Sequence, residues 1–240
     1  MFEEVLFELK QLSLKGPIKS VGDGSNNAIG FTLRNALNIR GVVNDYKGFR
    51  INATSFKNNS RNTLIPGCVP DWKISNLKSS REFVDLYGTE DETGKYEKKL
   101  FCTVDAITPN SFGLCLKVDK KNKLLQENYV KGNIQRNLFI WDNNKLIQNL
   151  TKKNKLVIVS ASKHKRNDGM YFHFKEAEFF LNIQFDEFLN YIDYGVITMD
   201  HLVSVKRGSN GAKEQGPSFK ISKESSINLY EEYMKFDLMD

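Results

Sequence analysis

Early in the chain, Arg34, Asp45, Arg50 and Asn52 bring together the residue types that handle a phosphodiester. Asp45 opens the run Asp45-Tyr-Lys-Gly-Phe-Arg50-Ile-Asn52, and Arg34 lies on a short basic segment just before it. Hydrolysing a phosphodiester with Mg²⁺ needs several hard anionic oxygens around the metal, and a base or cation to position the attacking water. One aspartate holds such a cation poorly, and a guanidinium close to a cation repels it by several kcal/mol at an effective dielectric near 20. With a pKa above about 12, Arg50 is neither a ligand nor a general base. It can pair with Asp45 or grip a phosphate with two hydrogen bonds. The plainer alternative is an ion-pair network beside a surface hairpin.

A second acidic triplet lies downstream. Pro70-Asp71-Trp-Lys73 spells Pro-Asp-x-Lys, and Asp71 and Lys73 with Asp45 could complete a relocated Mg²⁺ site; a loop turn is the alternative. Two stretches could hold a polyanion. Lys163, His164, Lys165 and Arg166 crowd one expected turn, with Lys152, Lys153 and Lys155 just before the same strand. Such clusters supply phosphate affinity that falls with salt. The second runs from Lys206 and Arg207 through Asn210 to Lys213, Glu214, Gln215 and Gly216. Its glycines let the backbone approach a groove, and Arg, Lys, Asn and Gln can read base edges. Glu82, Asp85, Glu90, Asp91 and Glu92 lack the alternation and central Gly of a Ca²⁺ loop, and are expected on a solvated face. His164, His173 and His201 form no HxH or HExxH pattern, so zinc hydrolysis is not expected. No GxSxG elbow and no GxxxxGK(S/T) loop is present.

Positioning these groups requires a folded chain, and 240 residues with 40% apolar content and 17 Phe support one. The absence of an apolar run of about 18 residues, and of a basic-then-apolar leader, leads us to expect an intracellular, cytoplasmic protein without membrane contact. Cys68, Cys102 and Cys115 show no CxxC spacing, which fits reduced thiols. A net charge of +6 and a pI near 9.0 are compatible with a polyanionic partner.

Hydrophobic spacing predicts a first helix over 2–12 and a second over 29–38, then strands at 41–45 and 49–56 around a turn at 46–48. Residues 57–80 read as loop, 81–87 as a helix stopped at Gly88, and 89–98 as a charged loop. Strands over 100–106, 112–118 and 124–130 read as a meander. Asp142 or Asn143 can cap a helix reaching Lys153. Leu156-Val-Ile-Val-Ser160 is the best candidate for a central buried strand. A turn at 163–169, a strand at 170–175, a helix at 185–194 and strands at 196–207 and 218–221 follow. Ser222 opens a last helix reaching about Met234. No linker divides the chain, so a single α/β domain with a mixed sheet is expected over residues 1–240.

The order of these stretches resembles the MvaI/BcnI restriction endonucleases, a MutH-like nuclease family. Ala28-Ile-Gly-Phe-Thr-Leu-Arg34 is similar to that family's Gly-x-Gly-x-x-(Phe/Leu)-Glu helix. Asp45 to Asn52 resembles its Asp-x4-Glu-x-Lys hairpin. Residues 84–94, the meander, Leu156 to Ala161, and Val203 to Ile221 follow in the family's order, so the resemblance spans nearly the whole chain. It implies a restriction-endonuclease-like fold, a central mixed sheet flanked by helices. It also implies that the family's helix glutamate falls on Arg34, its hairpin glutamate on Arg50 and its lysine on Asn52. Only Asp45 survives.

The resemblance and the departures together lead us to expect a pseudonuclease. It would hold duplex DNA without cutting it and without a cofactor, as a recognition or scaffolding subunit in a restriction or antiviral defence assembly with other protein subunits. DNA contacts are expected from Lys163, Lys165, Arg166, Lys206, Arg207, Asn210, Lys213, Glu214 and Gln215. The alternative is an active Mg²⁺-dependent endonuclease built on Asp45, Asp71 and Lys73.

Overall fold

The computed structural model describes residues 2–22, 24–39, 45–56, 62–65 (backbone only), 68–152, 154–214 and 217–240. In chain order the first elements are α1 (Phe2–Leu14), β1 (Ile18–Lys19), α2 (Asn26–Ala36), β2 (Asp45–Tyr46), β3 (Phe49–Ser55), β4 (Asn62–Ile65) and α3 (Ser80–Tyr87). Next come β5 (Thr89–Glu90), β6 (Lys98–Val104), β7 (Leu114–Asp119), β8 (Leu124–Lys131), β9 (Ile134–Asp142) and α4 (Asn143–Thr151). The chain then forms β10 (Lys155–Arg166), β11 (Gly169–Ile183), α5 (Phe185–Asp193) and β12 (Thr198–Val205). It ends in β13 (Ala212–Glu214), β14 (Ser218–Ile221), α6 (Lys223–Leu229) and β15 (Tyr230–Asp237).

These elements form two compact units where the sequence suggests one domain. Residues 1–59, 153–183 and 230–240 make the first, and 60–152 and 184–229 the second. The chain passes between them four times, so neither is a contiguous stretch and no linker marks a boundary.

The first unit is built on a mixed sheet in the order β1-β11-β10-β3-β2, with β15 also pairing β11. The expected central strand is there: β10 lies mid-sheet, parallel to β3 and antiparallel to β11. Side chains alternate along a strand, so each strand gives one set to each face. Phe49, Ile51, Val157, Val159, Ala177 and Phe179 share one face, where Val5 and Leu9 of α1 and Ile29 and Leu33 of α2 bury against them. Phe179 is the hub, its ring 4.7 Å from Phe2, 5.8 Å from Phe49 and 5.8 Å from Phe236. The acidic start of α1, Glu3 and Glu4, suits the positive end of the helix dipole.

In the second unit one sheet runs β4-β14-β12-β6-β5, with β13 also on β12, and β7-β8-β9 form a separate meander. A string of rings joins the layers: Phe83 to Phe139 at 4.8 Å, Phe139 to Trp141 at 6.1 Å, Trp141 to Phe219 at 6.5 Å and Phe219 to Phe188 at 5.4 Å. Asp142 caps α4 as expected, accepting from the N–H groups of Asn144 and Lys145.

Several sequence expectations change. Residues 62–65, expected as loop, pair with β14, and Thr89–Glu90 pairs with β6. β6 leaves the expected meander to pair with β12, and β9 takes its place. The final helix stops at Leu229, after which β15 pairs along β11 from Tyr230 to Asp237. There the ladder and the burial of Phe236 against Phe2 and Phe179 override the helical spacing. The expected strand residues 41–44 lie outside the described residues, as do Arg40, Lys57 and Lys153. Among the described residues no helix is long and apolar enough to cross a membrane.

Since Phe179 is fully buried at the centre of the first unit, Phe179→Ala should cost about 3–5 kcal/mol in chemical denaturation. A loss under about 1 kcal/mol would show that this core does not hold the sheet.

Candidate nucleic-acid interface

The hairpin of β2 and β3 turns at Lys47 and Gly48, whose φ angles are 51° and 77°. Two positive φ angles make the tight two-residue turn that matches strand twist. Asp45 supports it by accepting a hydrogen bond from Gly48 N–H at 3.1 Å. Lys47 takes this conformation without being glycine, and α1 clasps it: its ammonium reaches Glu4 and also Glu8, the latter at 2.7 Å. Tyr46 donates its hydroxyl proton to Glu8. The Lys47 and Tyr46 hydrogen bonds hold the Glu8 carboxyl below its ordinary pKa. Burial and the Glu8 bond push the Tyr46 phenol up to about 12. Sequence reading missed this clasp, although Glu4 and Glu8, one helical turn apart, hint at a common partner.

Asp45 and Arg50 face each other across the ladder, so their side chains leave the same side of the sheet. Asn52 follows on that side, two residues along β3. Phe49 and Ile51 point the other way, under α1 and α2. Arg50 is half-buried, and burial pushes its guanidinium pKa down, partly offset by the neighbouring Tyr230. Arg34 stands on α2, on the opposite side of the sheet, with its guanidinium carbon 6.0 Å from the Phe31 ring. Asp45, Arg50 and Asn52 therefore share a face, and α2, which carries Arg34, packs on the other. That face offers one carboxylate, one guanidinium and one amide, a donor set that does not fit Mg²⁺, which binds through carboxylates and water. Among the described residues no group of three His, Cys, Asp or Glu side chains could hold a metal.

Asp71 belongs to the second unit, at the head of a turn through Trp72 to Ile74. Its carbonyl accepts from Ser75 N–H at 2.9 Å, and its carboxylate pairs with Lys145 of α4 and accepts from Lys73 N–H at 3.3 Å. An acid-x-Lys site needs a strand to put both side chains on one face. The turn leaves Lys73 exposed and gives Asp71 a structural role.

The basic cluster is not the turn expected at 163–169. β10 runs on to Arg166, and only Asn167 and Asp168 turn. Strand alternation then divides the four residues between two faces. Lys163 donates to Asn26 Oδ1 at 2.8 Å, near the start of α2, and exposed Lys165 shares its face. Arg166, on the other face with His164, lies 4.3 Å from the Tyr171 ring centre. By the same alternation His164 and Arg166 continue the face that carries Arg50 and Asn52, because the bulge between Ser160 and Ala161 places its extra residue in β11.

Lys206, Arg207, Asn210 and Lys213 are exposed around the turn between β12 and β13. Arg81 of α3 braces this turn by donating to the Ser209 carbonyl at 2.9 Å. Gln215 lies outside the described residues. Glu214, expected to face DNA, turns inward: β13 pairs it with Val203, and its carboxylate accepts from the Ser80 hydroxyl. Burial raises the Glu214 pKa against the opposing effects of Ser80 and His201.

Beneath lies a buried pair that sequence reading did not find. His201 Nε2 on β12 sits 2.9 Å from Glu127 Oε2 on β8, both at most 1% exposed. Phe83 of α3 and Phe139 of β9 pack on the imidazole. Burial disfavours the imidazolium, but the charge and hydrogen bond of Glu127, aided by Glu214 and Asp200, outweigh it and raise the pKa. Asp91, expected on a solvated face, is also buried, where Lys99 and Thr93 hold its carboxyl far below the usual range.

The family model of the MvaI/BcnI restriction endonucleases matches residues 6–230. This chain belongs to that family. Two solved structures carry its fold. A complex of restriction endonuclease MvaI with cognate DNA is 17% identical with a TM-score of 0.77, covering 98% of this chain and 97% of that one. MvaI without DNA is 18% identical with a TM-score of 0.60, covering 98% and 96%. A search of curated proteins finds no match. This member of the MvaI/BcnI family presents Asp45, Arg50 and Asn52 along its β2–β3 hairpin.

The raised His201 and Glu214 values have one sign. The His201 contribution is complete below the unfolded value of 6.5 and is lost as pH rises through the folded value. The Glu214 contribution falls likewise above 4.5. The melting temperature should therefore fall as pH rises past about 6.5, with a shallower slope in Glu127→Gln. A midpoint that rises over this range in the wild type would contradict the pairing.

Proposed function

We propose that this protein binds duplex DNA through its MvaI/BcnI fold and does not cleave it. The observation that carries the reading is the shared face of Asp45, Arg50 and Asn52. A guanidinium about 4 Å from a metal position opposes each unit of cation charge by roughly 4 kcal/mol at an effective dielectric near 20. The same guanidinium supplies charge where a DNA phosphate would otherwise meet the metal, so losing the cation need not lose the DNA. Arg166 adds a cation to the same face of the first unit, and the second unit carries exposed Lys206, Arg207, Asn210 and Lys213 around its own turn.

The reading that keeps an active Mg²⁺ enzyme requires Asp71 and Lys73 to act with Asp45. The turn at Asp71 and its pairing with Lys145 favour a structural role there instead. A DNA-holding protein that does not cut is useful beside one that does, so we place it as a recognition or scaffolding subunit of a restriction or antiviral defence assembly.

Salt-titrated binding to a short duplex tests this reading. Affinity should fall steeply with salt, and Arg166→Ala and Arg207→Ala should each flatten the slope of log K against log salt by about 0.9. With Mg²⁺ added, the duplex should stay intact. Binding that ignores salt and both variants would overturn DNA holding. Metal-dependent cuts abolished by Asp45→Ala would overturn the non-cleaving half.

A further inference from the structure

Resting on that DNA-binding reading, we infer that the β8–β9 ribbon is a second DNA-contacting element, whose tip enters a groove of the duplex. Between Glu127 and Asp142 the chain carries Lys131 and Arg136 and no acidic residue. Beyond the bulge at Asn128, β8 and β9 pair out to Lys131 and Ile134, and residues 131–136 are all exposed. Gly132, at φ 57°, closes the turn with Asn133.

Register decides which side chains point together. Lys131 lies directly opposite Ile134, and Arg136 follows two residues along β9, so these three share one face of the ribbon. The face runs cation, apolar group, cation, with Ile134 50% exposed between them. Gln135 points to the other face, and Asn133 sits at the turn. A two-stranded ribbon fits the major groove. There Lys131 and Arg136 would meet phosphates, while the amides of Asn133 and Gln135 would reach base edges and Ile134 a thymine methyl or sugar.

The base of the ribbon is cross-linked by hydrogen bonds and tied to the other candidate element. Asn137 donates across it to Asn128 Oδ1 at 3.2 Å. Glu127, next to the bulge at Asn128, holds His201 on β12, the strand that leads into the Lys206–Lys213 turn. One buried pair thus fixes both exposed tips within the second unit.

The test uses the full chain and a short duplex, comparing wild type with Lys131→Ala/Arg136→Ala and with Arg207→Ala. The ribbon variant should bind at least tenfold more weakly near physiological salt, and its slope of log K against log salt should fall by about 1.8. Its melting temperature should match wild type, since both positions are exposed. Gln135→Ala should lower affinity with the salt slope unchanged, as loss of a base contact does. A ribbon variant that binds like wild type while Arg207→Ala weakens binding would identify a solvated hairpin and overturn this inference alone. A wild type that does not bind duplex DNA would overturn it together with the proposed function.

Discussion

Because successive residues of a strand face opposite sides of its sheet, burying Phe49 and Ile51 under α1 and α2 commits Arg50 and Asn52 to the other side. A one-residue slip of β3 would drive a guanidinium into the Phe179 core, so the core sets the register of the hairpin. The clasp of Lys47 by Glu4 and Glu8 pins the turn from the same helix that covers the core. The hairpin's geometry is therefore set by packing, whatever stands at its polar positions.

That separation explains how chemistry can change while the fold persists. Arg50 and Asn52 cost the core nothing, and they set a cation and an amide beside Asp45, which is the arrangement the non-cleaving proposal rests on. Arg50 is held half-buried near Tyr230, so the strand keeps a fixed positive charge beside Asp45. In the second unit the buried Glu127–His201 pair plays the corresponding role, fixing from below the strands whose exposed ends carry the cations.

Much of this was legible in the residues. The Leu156-Val-Ile-Val-Ser160 run marked the central strand because burial on both faces leaves no polar alternation, and Asp142 marked the start of α4 by its capping chemistry. The hairpin around Asp45 was legible from its turn, while the clasp was not, since Glu8 and Lys47 are far apart in sequence. β9 was missed because the exposed start of the strand, Ile134 to Arg136, is polar enough to look like loop. β15 was missed because Glu231 and Glu232 suit a helix until the ladder with β11 claims the backbone. Glu214 looks DNA-facing in the sequence because a three-residue strand inside a Gly-rich stretch leaves little local signal; only its pairing with Val203 turns it inward. The boundary between the units left no mark because it is crossed four times.

The most direct measurement is a Mn²⁺ titration of the protein–DNA complex, following bound metal by its paramagnetic signal in wild type and Asp45→Ala. The account predicts the same weak, non-saturating uptake in both, because a lone carboxylate beside a guanidinium does not hold a divalent cation. Saturable binding of one ion that disappears in Asp45→Ala would contradict it and restore a metal centre to the hairpin.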